Sequence, residues 1–356
     1  MFQWANTQPA SERLYDAEMA ASNDQHRAYQ NANTPNAYRS NIYAPGTEFV
    51  LCQAVAQLMS AVVGVLNESI TEAIKSFYKL RKAFMALESI LNMEERFIHG
   101  LGPGGKSRIG SGLSELSAKS EGVIPGLTGK SRVTTGLSSK SEGDKTIPGS
   151  SSDDDATATF TPDPDSDVFG SEIDAFIHSG MNCCFGILLL LISMVPPSFS
   201  KLLSIVGFRG DKQRGLRMLW QAARFPNVTG AISALTLLGY YNAFVRYCDI
   251  TADVEGEEER DVEGYPQERL ISLLAEMRKR YPKSRLWILE ECRMNAANRK
   301  LDTALDILLH VDRSPLKQIE ALRVFELSLD SMYLHEYEIC AQAFIEVCNC
   351  LLRVLY

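Results

Sequence analysis

Gly100-Leu101-Gly102-Pro103-Gly104-Gly105-Lys106-Ser107 spells G-x-x-x-x-G-K-S, the pattern of a nucleotide-binding phosphate loop. In such a loop backbone N–H groups and a lysine hold the phosphates, and the geometry requires a strand before the loop and a helix after it. Here a helix-periodic segment precedes the motif and Gly/Ser-rich sequence follows it. A second copy, residues 124–131, begins with Ile124 in place of the first glycine, and no apolar strand ending in Asp lies downstream to hold Mg²⁺. The motif therefore reads as a coincidence of composition. The eight cysteines are too sparse for a disulfide scaffold. Cys183-Cys184 and Cys348-Asn349-Cys350 lack a second Cys or His pair at zinc spacing, so both read as small apolar core residues. His178, His310 and His335 stand singly in helical pattern, and no nucleophile-and-base pair follows from spacing. The expectation is a protein that is not an enzyme, with no catalytic, cofactor-binding or metal-ligating residues and no cofactor. Spacing assigns no partner-binding residues.

A net charge of -8 argues against nucleic-acid binding, which requires a basic face. The basic stretch Arg278 to Arg285 reads as the cationic end of a helix, a position its dipole favours. The N-terminal residues lack the basic and apolar regions of a secretory signal, so export is not expected, and the sequons at Asn67 and Asn227 read as chance matches.

Helical periodicity dominates the rest. Residues 1–46 are polar and read as a disordered arm, with one short helix near Glu12 to Ala21. Residues 47–99 read as a helical hairpin: an apolar run from Phe49 to Leu66, then Ile70, Ile74, Phe77, Leu80, Phe84, Leu87 and Leu91 at steps of three and four. Composition then breaks. Residues 100–149 hold 12 of the 24 glycines, and an acidic tract and two prolines follow. This 100–165 segment contains a duplicated polar repeat, with Gly105-Lys106-Ser107-Arg108 recurring as Gly129-Lys130-Ser131-Arg132. It offers too little apolar surface to offset its ordering entropy and is expected to be a disordered insert.

Residues 166–356 read as a helical repeat region continuing the same domain. Phe176 to Val195 is its most apolar window, stopped by Pro196-Pro197 and followed by a second apolar helix, Phe199 to Val206. Its strongly apolar part is only 13 residues, Cys183 to Val195, which favours a buried core helix over lipid contact or a membrane span. Toward the end, Ala304 with Leu308 matches Cys340 with Phe344, 36 residues on, close to the period of about 34 of tetratricopeptide repeats. The expected fold is all-α: stacked antiparallel hairpins in a tetratricopeptide-repeat-like solenoid, with a long disordered insert. A terminal stripe of Tyr337, Cys340, Phe344, Val347, Leu351 and Val354 should pack partly on Leu322, Phe325, Leu329 and Met332, and partly stand exposed.

Three stretches carry a resemblance. They are Lys75 to Ala83; Phe176-Ile177-His178-Ser179-Gly180 with Phe185-Gly186 and Val195-Pro196-Pro197; and Leu202 to Asp211 with Arg214-Gly215-Leu216. Together they resemble the fungal inclusion-body clearance family, related to the tetratricopeptide repeat protein 39 group. The resemblance implies a helical adaptor of cytoplasm and nucleus. Such an adaptor associates with lipid-droplet and inclusion-body proteins and helps to clear inclusions after folding stress. It carries no catalytic residues over. Family members continue with further helical repeats, so the chain is expected to be a truncated member. The alternative is a peripheral scaffold of a lipid-droplet or mitochondrial outer-membrane surface, contacting lipid through the apolar hairpin 176–208.

Overall fold

The computed structural model describes residues 7–34, 38–66, 70–100, 160–195, 208, 210–248, 262 and 264–355. Among these residues the fold is all-α, with eleven α-helices and one 3₁₀ turn. Residues 1–94 and 164–356 form one compact unit, and residues 95–163 a second, small one. In the small unit Phe97 and Phe160 meet edge to face at 6.0 Å, with Ile98 and Phe160 both buried. The segment expected to be disordered through residue 165 is thus packed from Phe160 onward. Its body, together with the phosphate-loop pattern after Gly100 and the apolar helix expected at 199–206, lies outside the described residues.

The N-terminal arm is a correction. Residues 7–31 form a 25-residue helix, α1 (Thr7–Asn31), where a mobile segment was expected. Its sequence lacks a broad apolar stripe, and small and polar contacts hold it. Ala21 is buried, and Glu18 receives hydrogen bonds from Gln57 at 2.8 Å and Lys82 at 3.4 Å. Those two residues belong to α2 (Thr47–Leu66) and α3 (Ile70–Gly100), so one carboxylate bridges three helices. Helices α2 and α3 run antiparallel: Lys79 donates to Ser60 near one end, and Thr47 meets the Met93 sulfur at the other.

The centre is α4 (Glu172–Ser193), which packs on α5 (Lys212–Ala223), α6 (Val228–Ala243) and α2. Each of the three later helices begins at a side-chain cap, as expected of Ser, Asp and Asn at that position. Ser171 Oγ accepts from the Ile173 and Asp174 N–H groups, Asp211 from Arg214 N, and Asn227 from Gly230 N. The α4–α5 crossing is a backbone contact. A Cβ on Gly186 would stand 2.9 Å from the Gly215 carbonyl oxygen, and a Cβ on Gly215 would stand 2.9 Å from that of Gly186. Only glycine at both positions lets the helices approach so closely.

Beyond α6 follow α7 (Gln267–Arg280), α8 (Arg285–Ala297), α9 (Leu301–His310), α10 (Lys317–Tyr333) and α11 (Tyr337–Leu355). Leu216, Leu219, Trp220, Leu237, Leu238, Tyr241, Leu270 and Met277 join α5, α6 and α7 in one apolar core. Ile288, Cys292, Ala304, Leu308, Val324, Leu327, Ala343 and Val347 join α8 to α11 in another.

The two terminal hairpins repeat each other closely. Arg299 and His335, 36 residues apart, both turn the chain in the left-handed region, at φ 63° and 65°. Lys300 N bonds Asn295 O, and Glu336 N bonds Ser331 O, each at 2.9 Å. These are the six-to-one bonds of a Schellman turn. Ala304, where the sequence spacing places a small residue, is fully buried. In the second hairpin the matching residue, Cys340, is only half-buried, and the buried small residue is Ala343, three positions further on. Helical hairpins are therefore present, two of them with matching turns.

Candidate functional site

The densest polar chemistry in the described chain lies around His178, within the main unit's core. The ring is fully buried, held between Phe169 and Phe225 at centroid distances of 5.5 and 5.4 Å. Its Nδ1 lies 2.9 Å from Glu94 Oε1, and Tyr43 donates its hydroxyl proton to the same oxygen at 2.7 Å. The Gln221 amide nitrogen approaches Nε2 at 3.4 Å, and Asn182 Nδ2 lies 3.4 and 3.3 Å from Nδ1 and Nε2 while donating to the His178 carbonyl at 2.9 Å.

A parallel contact joins Tyr38 to Asp174, which also accepts from Gly170 N at 3.1 Å. Burial, then the hydrogen bond to Asp174, pushes the Tyr38 hydroxyl up to about 12. Burial and the neighbouring Glu94 carboxylate likewise raise Tyr43 well above the usual tyrosine range. Both hydroxyls stay protonated and keep donating.

This cluster has the residue types of an acid–base site but not the access. Glu94 and His178 are 1% and 0% exposed, and no substrate atom could reach them. Its effect is structural: the segment 38–47, α3 before the insert and α4 after it are tied together across 84 residues of sequence. Spacing could not reveal the group, because Tyr43, Glu94 and His178 are far apart in sequence.

The remaining sequence candidates fall into the same pattern. Cys183 is buried and Cys184 half-buried. The hydrogen bond between their side chains lowers the Cys183 thiol and raises that of Cys184. Among the described residues no group of three His, Cys, Asp or Glu is placed to hold a metal ion. His310 and His335 are exposed and bond locally, to Asp306 O and the Tyr337 hydroxyl, both at 2.8 Å. The basic stretch is engaged by the fold. Arg278 pairs with Glu291 at 2.9 Å, Arg285 with Asp312 at 2.8 Å, and Arg280 donates to the carbonyls of Ala223, Arg224 and Phe225 that end α5. Asn227 of the second sequon caps α6, while Asn67 lies outside the described residues.

Two helical segments, 47–64 and 172–193, are long and apolar enough to cross a membrane by length and composition. The second is 72% buried within the protein. That agrees with the buried core helix expected, and it leaves little of α4 for the lipid contact of the alternative reading.

The surfaces left over are apolar helix faces. On α10, Leu322, Phe325, Met332 and Tyr333 are exposed, and the buried contacts fall to Val324 and Leu327 instead. On α11 the stripe divides along its length: Val347 is buried and Cys340 half-buried, while Tyr337 is 65% exposed and Phe344 remains exposed with Ile345. The side chains of Leu351 and Val354 lie outside the described residues. These exposed apolar side chains gather on one hairpin.

Of the stretches that carry the family resemblance, Lys75 to Ala83 is largely exposed, with Ser76 and Ala83 buried, while the second and the described part of the third pack in the core. Phe84, next to the buried Ala83, meets Phe185 at 5.1 Å and Phe208 at 5.5 Å, and Gly186 meets Gly215. Comparison with known proteins extends the likeness over nearly the whole chain. The family described as Iml2/Tetratricopeptide repeat protein 39 matches residues 2–350. An inclusion body clearance protein iml2 from Aspergillus niger is 58% identical over 346 residues, 95% of this chain and 48% of the relative. The protein of the same name from Sclerotinia sclerotiorum is 41% identical, and that from Yarrowia lipolytica 33%, each over 95% of this chain. The chain spans about half the length of the curated relatives it matches. No solved structure matches. A match over residues 2–350 of 356 leaves one assignment: this chain belongs to the Iml2/Tetratricopeptide repeat protein 39 family.

Proposed function

We propose that this chain is a non-enzymatic helical adaptor that takes part in clearing inclusion bodies. One observation carries the reading: 58% identity to an inclusion body clearance protein along 95% of the chain. The structure supports an adaptor rather than a catalyst, because its buried polar groups are engaged in holding helices together. In this reading the hairpins α8–α9 and α10–α11 are tetratricopeptide-like units of a stacked solenoid, and the exposed faces of α10 and α11 receive the next helical element or a partner. The partners are inclusion-body proteins and, through the family resemblance, proteins of lipid droplets, met in cytoplasm and nucleus.

The test is proximity labelling from the chain in a fungal host during heat stress. Enrichment of inclusion components over an unfused labelling enzyme, reduced by Tyr337→Lys with Phe344→Lys, is the expected result. Labelling that never enriches inclusion components would overturn the reading.

A further inference from the structure

Helices α10 and α11 each leave a stripe outside, and the two stripes share a period. On α10 it runs Gln318, Leu322, Phe325, Leu329 and Met332, at steps of 4, 3, 4 and 3. Leu329 is half-buried and the other four are exposed. On α11 it runs Tyr337, Ala341, Phe344 and Cys348, at steps of 4, 3 and 4, all of them exposed. The core contacts lie on the other sides of these helices, at Val324 and Leu327 and at Ala343 and Val347. Alternating steps of four and three average 3.5 residues, the repeat that lets one helix seat along another. The surface that fits such a stripe is a helix with the same repeat.

The charges around the stripes say which helix. On the core side they are engaged. Glu320 pairs with Arg323 and Glu326 with Arg293, each at 2.7 Å, and Asp330 is buried. Beside the hairpin, Glu346 pairs with Arg313 at 2.9 Å and Asp312 with Arg285 at 2.8 Å. Within residues 312–349 three exposed charges have no ion pair among the described residues. Lys317 stands where α10 begins, and Glu336 and Glu338 stand at the turn into α11. The side chain of Arg353 lies outside the described residues. The face is thus uncharged along its length, basic at one end and acidic at the other. Turned end for end, it complements itself.

We infer that this face docks on the same face of a second copy, giving a two-fold dimer through the α10–α11 hairpins. Helix α10 of one copy lies antiparallel to α10 of the other, with Phe325 at the axis. Leu322 then meets Leu329, Gln318 meets Met332, and Lys317 reaches the turn that carries Glu336 and Glu338 in the other copy. Symmetry makes each contact twice and closes the assembly at two chains. The inference names an occupant for the face that the adaptor reading leaves open. It is measured without inclusion components, so its failure would leave that reading standing.

The experiment is sedimentation velocity on the full chain from low to high micromolar concentration, in reducing buffer so that Cys348 cannot cross-link copies. A concentration-dependent shift to the mass of two chains is expected. Phe325→Asp with Phe344→Asp should leave a monomer whose circular dichroism matches the parent. Lys317→Glu should weaken the dimer about tenfold, a few-fold at each of two symmetry-related sites, and Glu336→Lys with Glu338→Lys should do the same. Combining all three charge substitutions should restore the parent affinity. Should the phenylalanine variant misfold, the charge exchange alone decides. A monomer at every concentration, open-ended assembly beyond two chains, a dimer that the phenylalanine substitutions leave intact, or a charge exchange that restores nothing would overturn the inference. A monomer would leave a different helical partner as the occupant of this face.

Discussion

The Gly186–Gly215 contact allows a sharp test of how the main unit is built. An alanine at 186 sets a Cβ 2.9 Å from the Gly215 carbonyl oxygen and 3.0 Å from Leu219 Cγ. One at 215 meets the Gly186 oxygen at 2.9 Å and Leu190 N at 3.1 Å. Ordinary contact begins near 3.4 Å, so α4 and α5 must separate by about half an ångström, and the obstacle on both sides is largely backbone that no rotamer change relieves. Overpacking of this kind costs about 1–3 kcal/mol. Against it stands the gain from replacing glycine by alanine within a helix, about 1 kcal/mol. The net expectation is a loss of about 0–2 kcal/mol for either single substitution, against the gain seen where alanine meets nothing. The double variant should lose less than the sum, because helices already moved apart by one methyl accommodate the second.

Gly239→Ala in α6 is the control. It meets nothing within 4 Å, is exposed, and should stabilise by up to about 1 kcal/mol. Urea denaturation followed by far-ultraviolet circular dichroism reads all four variants. If Gly186→Ala stabilises as much as Gly239→Ala, or if the two core substitutions simply add, the close-approach argument is wrong.

Two further outcomes follow from the C-terminal hairpins. Asp330 is 4% exposed, and burial followed by the nearby Glu326 carboxylate raises it to about 6 from the ordinary 3.8. The fold therefore favours its protonated form: the contribution of Asp330 to stability is fully present below about pH 4 and is lost as pH rises through about 6. Asp330→Asn should flatten that dependence and stabilise the protein at pH 7 by up to about 3 kcal/mol, read from urea midpoints across pH. A variant as pH-dependent between 4 and 7 as the parent would show that another group dominates. Arg299→Gly and His335→Gly relieve left-handed backbone at φ 63° and 65°. Each should stabilise by about 0.5–1 kcal/mol, the relief exceeding the entropy that glycine adds to the unfolded chain. Thermal unfolding that moves downward for both would mean that the lost side-chain contacts outweigh the strain.

The legible parts of the fold were those written in local periodicity. The steps through Ile74, Phe77, Leu80, Phe84 and Leu87 announce α3, and the apolar run ending at Ser193 announces α4. The 36-residue spacing of Ala304 and Cys340 points to paired hairpins, which the structure bears out in the matching turns at Arg299 and His335. Those turns themselves were invisible, since neither carries the Gly or Asn that usually signals one. Helix α1 was legible only as a short helix near Glu12 to Ala21 in a mobile arm, because its docking rests on Ala21 and on Glu18 reaching Gln57 and Lys82, none of which makes an apolar stripe. The network around His178 could not be read either. A lone histidine on an apolar helix gives no sign that Glu94 and Tyr43 arrive from other elements.

These successes and misses bear on where function can reside. Several residues that identify the family are committed to packing: Gly186 and Gly215 set the helix approach, Phe185 fills the space beside it against Phe84, and Asp211 starts α5. Glu94 and His178 have the types that could do chemistry, yet they too are enclosed and engaged across the insert. A substitution at any of these positions would act first through stability. In the proposed adaptor reading, recognition falls to what the packing leaves outside, such as the apolar side chains on α10 and α11. Exposing a large apolar side chain forfeits the roughly 1.5–3 kcal/mol that burying it would contribute. On α10 and α11 that loss recurs at Tyr333, Tyr337 and Ile345, so a partner covering this hairpin would gain from several positions at once.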